Sequence, residues 1–154
     1  STEKHWEWAT VPNAREKASF LSDNILPIQE SGQLKFIERT GDFTQNVFNK
    51  MDMLFVDGHT ESMMIPHIEY QDKKIIFMAD LLPSTGHIPL PYVMGYDTRP
   101  LLTLSEKEKF LNTAVDNDYI LFLEHDSVNE CCTLKRTEKG LQLDKTFQFS
   151  ELFQ

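Results

Sequence analysis

With 15 basic and 24 acidic residues among 154, the chain has one domain's worth of sequence and a formal net charge of −9. That balance argues against nucleic acid as a partner, because an acidic surface is repelled by phosphate backbones. Apolar content of 40% and charged content of 25% are those of a globular protein, and no apolar run is long enough to span a bilayer.

The chain opens on Ser1-Thr2-Glu3 without an initiator methionine, as a fragment would. Trp6 and Trp8 flank Glu7 and read as packing or anchoring residues. The first predicted helix runs from Asn13 to Asn24. Asn13 is its cap, Glu16 the capping-box partner, and Ala14, Ala18, Leu21 and Ile25 recur at helical spacing. Pro27 and Gly32 are expected to end it. Leu34–Ile37 and Met53–Val56 read as strands around a turn at Thr40-Gly41-Asp42. Residues 63–70 and 74–79 flank the polar turn Gln71-Asp72-Lys73 and predict a hairpin. Pro66 would place the first of these strands at an edge or a bulge.

A loop rich in proline and glycine follows Asp80. Ser105 with Glu108 then opens a helix carrying Phe110, Leu111, Ala114 and Val115. Residues 119–126 read as a strand, and 131–135, 141–143 and 146–149 as short closing strands. Cys131 and Cys132 are adjacent, so they point to opposite faces of their strand and do not bridge each other. Read as reduced, the thiols fit a cytoplasmic protein. The order predicts one unit, residues 1–154, of mixed α/β (α+β) layered architecture.

Three apolar runs end in a residue able to bind metal. His59 follows 53–56, Asp80 follows 74–79, and His125 follows 119–124. Ends of neighbouring strands converge on one edge of a layered sheet, where sites are built. Two imidazoles and a carboxylate suit zinc, iron or manganese. Each also has a plainer reading: a turn histidine, a turn-capping aspartate and a solvated charge cluster.

"DGHTES" at 57–62, "IIFMADLLPS" at 75–84 and "YILFLEHD" at 119–126 together resemble the metallo-β-lactamase superfamily. There, a histidine sits in a GHT turn, an aspartate follows an apolar strand, and a last histidine ends a late strand. "HTES" stands where the family commonly has "HTPG". The larger departure is the absence of the family's H-x-H-x-D-H run. The resemblance therefore implies the C-terminal half of an αββα sandwich, a mixed sheet with outer helices.

It further implies that His59 binds a first metal, Asp80 bridges two, and His125 binds the second, with Asp80 as the catalytic residue. The activity implied for the intact protein is hydrolysis of a small-molecule ester, lactone, amide or phosphoester by a metal-bound hydroxide, with two zinc ions, or iron or manganese. Three ligands shared between two positions leave two donors each, so metal in this chain alone is expected to be weak or absent. Half a sandwich would expose its inner face, including Met64, Ile68, Ile75 and Phe77, and a homodimer through that face is expected. The alternative is a non-catalytic binding or assembly module that keeps the fold. His5, His67 and His87 are the remaining histidines that could complete a metal site.

Overall fold

A computed structural model describes residues 1–153. Seven strands form one sheet in sequence order: β1 (Phe43–Phe48), β2 (Met51–Val56), β3 (Met63–Tyr70), β4 (Lys73–Phe77), β5 (Ile120–Phe122), β6 (Cys131–Thr137) and β7 (Gly140–Phe147). All neighbours are antiparallel except β4 and β5, which run parallel. A parallel pair needs a crossover. It is supplied by the loop after Asp80 and by the helix α3 (Pro100–Asp116).

That helix begins five residues before the predicted Ser105. Pro100 occupies its first turn, where the missing N–H costs nothing. Phe110, Leu111 and Ala114 face the sheet and pack with Ile65, Ile76, Met78, Leu121 and Cys132 into the main core. The opposite face holds a smaller cluster of Ile75, Ile120 and Cys131. The two cysteines do lie on opposite faces, and both are fully buried.

The 63–70/73–77 hairpin forms with Tyr70 opposite Lys73. Pro66, however, lies in an interior strand opposite Met53, with no bulge. It sits one residue outside the β3–β4 ladder, which begins at His67↔Ile76, so an interior strand accommodates it.

The N-terminal third departs most from expectation. Glu3–Thr10 is helical (α1), capped by the Thr2 side chain. Residues 14–19 form turns, and helix α2 spans Ser22–Glu30 straight through Pro27. Asn13 and Glu16 do bond each other, but Glu16 also receives Trp8 Nε1 at 2.8 Å and Thr60 Oγ1 at 2.6 Å. Those tertiary bonds draw the capping pair into a folded turn in place of a helix start. Residues 34–37 form no regular element and bond to the N-terminus, not to a strand: Ile37 N–H donates to the Ser1 carbonyl at 2.7 Å.

The second face of the sheet is better covered than half a sandwich would suggest. Ile75 is buried, and Met64, Ile68 and Phe77 are half-buried. The C-terminal turn folds over part of this face. Leu152 packs on the Ile75 cluster, and Phe149 meets Phe122 edge-on at 5.4 Å. Among the described residues, no helix is long and apolar enough to cross a membrane.

Candidate metal centre

The three predicted site residues meet at one edge of the sheet. His59 lies in the β2–β3 loop, Asp80 in a single 3₁₀ turn after β4, and His125 beyond β5. His59 Nε2 is 3.3 Å from Asp80 Oδ2, and His125 Nε2 is 3.3 Å from Asp80 Oδ1. One carboxylate thus stands between two imidazoles, each facing its own oxygen.

Local structure explains the aim of each group. Gly58 lies so close to α3 that an added Cβ would collide with the Thr103 backbone. Glu106, one turn further along α3, accepts the N–H groups of Asp57 at 2.7 Å and Gly58 at 2.9 Å. Arg39 grips Asp57 with two bonds of 2.8 Å, holding that carboxyl below its usual range. Arg99 donates to the Asp57 carbonyl and to Glu61, and Glu61 also pairs with Lys4. The loop carrying His59 is therefore bolted to α3 and to the N-terminal segment. Ser62 ends it at φ +54, in the place where the family pattern has glycine.

Ala79, immediately before Asp80, is also left-handed at φ +44. A Cβ there is strained, and this left-handed residue directly precedes the aspartate that faces the two rings. His125 is held more loosely. Its N–H donates to the Pro83 carbonyl at 3.0 Å, and its side chain is 55% exposed. The neighbouring Asp126 accepts from Thr85, Val128 and Asn129 and so ties the two loops together.

Asp97, in the loop after Asp80, belongs to none of the motifs of the sequence. Its side chain is fully buried, and its Oδ1 meets His59 Nδ1 at 2.9 Å. Burial opposes a charge on the His59 ring, but the contacts with Asp80 and Asp97 outweigh it and raise the ring to about 9. Contact with His59 in turn holds Asp80 below the usual carboxylate range against its own burial, the charges of both imidazoles assisting. The only signal for Asp97 lay in the fold, since 38 residues separate it from His59. Arg99, which could have served Asp97, pairs with Glu61 instead.

The loop above the centre is anchored by Lys107. This lysine is 1% exposed and donates to the carbonyls of His87, Pro89 and Tyr92 at 3.0, 3.3 and 2.6 Å. Burial pulls its ammonium down to about 8, against the attraction of Asp97.

The donor set suits a divalent metal. The 3.3 Å spacings are close to the edge of a tetrahedral zinc shell, about 3.4 Å for bonds near 2.1 Å. Asp80 Oδ1 is buried without a hydrogen-bond partner, an orphan that a cation would satisfy. The shell is partial: among the described residues, no three His, Cys, Asp or Glu side chains surround one point. His5 bonds the Glu61 carbonyl, His67 lies beneath α3, and His87 pairs with Ser84.

Neither a family profile nor a curated protein matches this sequence. Solved structures do. A probable metal-dependent hydrolase from Staphylococcus aureus is similar with a TM-score of 0.77 and 24% identity, over 92% of this chain and 48% of that one. AbOPH, a hydrolase in the beta lactamase superfamily, gives 0.75 and 14%, over 96% and 54%. The chain has the metallo-β-lactamase fold. AidC, a dizinc quorum-quenching lactonase, is similar at 0.67 and 18%, again over 96% of this chain and 54% of that one. The chain thus spans about half the length of the metallo-β-lactamase-fold structures it matches. The mixed sheet with its helices is the part of their fold represented here.

Proposed function

We propose that this chain is the C-terminal half of a metal-dependent hydrolase, and that His59, Asp80 and His125 are its share of a two-metal site. The observation that carries this reading is the Asp80 carboxylate, set 3.3 Å from each of two imidazole nitrogens, with its buried Oδ1 making no hydrogen bond. His59 would serve one ion, His125 the other, and Asp80 both. When bound, such ions supply an activated water and polarise a carbonyl or phosphoryl oxygen. The remaining ligands would come from the rest of the protein. The substrate class is an ester, lactone, amide or phosphoester; the lactonase among the neighbours supports a lactone.

The chain's own residues prepare the site. Asp97 holds the Nδ1 edge of His59, so the Nε2 lone pair faces Asp80 once the ring is neutral. Glu106 and Arg39 fix the loop that carries the ring. Asp80 is kept ionised by the two imidazoles.

Zinc titration followed by nitrogen NMR of the histidine rings tests the reading. His59 and His125 should shift together, and Asp80→Ala should abolish both shifts. Weak shifts are expected of this chain alone, and rings left unshifted by zinc in the protein joined to its upstream sequence would sink it. Joined to its upstream sequence, the protein should then hydrolyse a lactone or ester in a zinc-dependent way. The second reading is a binding or assembly module without chemistry. It is favoured by the two-donor positions and predicts no turnover in the joined protein. A homodimer through the half-buried Met64, Ile68 and Phe77 face would accompany either reading, with sedimentation as its check.

A further inference from the structure

A second feature lies under α3 and plays no part in the metal chemistry. Between the sheet and the N-terminal half of that helix is a cavity of about 550 Å³, walled by Phe43, Leu54, His67, Phe110 and Tyr119. That volume suits a small organic molecule. His67 is 4% exposed, and neither of its ring nitrogens has a hydrogen-bond partner. A neutral imidazole offers one donor and one acceptor, and burying both unpaired forfeits the hydrogen bonds water would give. The fold gives this ring nothing but aromatic edges. Phe43, Tyr119 and Phe110 stand at 5.3, 5.7 and 6.0 Å from it, all close to perpendicular.

Phe43 is the most exposed member of this cage. It begins the edge strand β1, is 40% exposed, and lies in a ladder whose register shifts between Thr44 and Phe48. A ligand would reach His67 by displacing this ring, which is not among the residues of the core cluster beneath α3.

Charge selects the occupant. Asp57 is taken by Arg39, Glu106 by two backbone amides, and Lys109 pairs with Asp42 in the solvent-exposed part of the wall. Beyond the imidazole, Lys74 is paired with Asp52 and stands 5.9 Å from the Tyr119 ring centre. An anion would face four carboxylates and a cation the ammonium groups of Lys109 and Lys74, and Glu106, the carboxylate without a basic partner, is held by two backbone amides. An uncharged molecule meets no such penalty, and a hydroxyl can both donate to and accept from imidazole.

We propose that this cavity binds a small uncharged alcohol or phenol, its apolar body between Leu54 and Phe110 and its hydroxyl on His67, with Phe43 swung aside. The site is separate from His59, Asp80 and His125, and it stands whether or not those residues hold metal.

The test uses naphthol, with naphthalene as the same body lacking the hydroxyl and naphthoate as the anion. Binding is followed by the His67 ring nitrogens in the unmutated protein and by calorimetry. Naphthol should shift those nitrogens saturably and bind on the order of ten-fold more tightly than either comparison. His67→Phe should reduce naphthol to the level of naphthalene. Equal binding of naphthol and naphthalene would overturn the proposal. So would saturable binding that leaves the His67 ring unshifted, or no binding up to the solubility limit.

Discussion

Two histidines eight residues apart experience opposite environments. His59 sits in the loop at the sheet edge between two carboxylates, and its ring is raised to about 9. His67 sits in the next strand beneath α3, and burial, with the charge of Lys74 assisting, pushes its ring down to about 4. Both rings lose water on folding. What separates them is contact with charge: Asp80 and Asp97 touch the first, whereas aromatic edges meet the second and the Lys74–Asp52 pair acts on it only from a distance. Burial alone makes a neutral histidine, and burial against carboxylates makes one that holds its proton.

The most damaging way to break the comparison is Gly58→Ala. The new methyl would collide with the backbone of α3, which cannot yield as a side chain would. We expect a loss of about 3 kcal/mol in urea unfolding, together with displacement of His59.

His67 should reveal itself in acid. Its folded-state value lies below its unfolded value of about 6.5, so between the two the unfolded chain binds the extra proton. The contribution is complete above about pH 6.5 and is lost as pH falls through about 4. Unfolding free energies should drop on the order of 2 kcal/mol more in the natural chain than in His67→Phe across that window. Parallel pH dependences would remove the contrast.

Asp97→Asn sharpens the other side. The amide keeps the shape and loses the charge, so His59 is less firmly aimed. Zinc-induced shifts of its ring should need about ten-fold more metal, while His67 is unaffected. The smallest effect is expected from Ala79→Gly. Relieving the left-handed alanine should stabilise the fold by about 0.5–1 kcal/mol in thermal unfolding, with the sheet unchanged.

The parts of the fold written locally were legible beforehand. The β3–β4 hairpin, the β5 run and the body of α3 announce themselves by alternation or helical period. The convergence of His59, Asp80 and His125 was legible too, because each ends an apolar run and such ends share an edge. The N-terminal third was not. Asn13 and Glu16 carry a correct capping pattern, yet Trp8 and Thr60 compete for the same carboxylate. Strand β1 escaped notice because polar residues interrupt it, and its pairing with β2 decides its state.

The sequence by itself determined which side chains could serve as ligands and which strands would carry them, because period and strand ends are short-range properties. Only the tertiary structure decided their chemistry. It brought Asp97 across 38 residues to His59, set Glu106 and Arg39 as the bolts of one loop, and sealed His67 away from every polar partner. Imidazole chemistry depends on charges within a few ångströms, and that neighbourhood is made by contacts between segments distant along the chain.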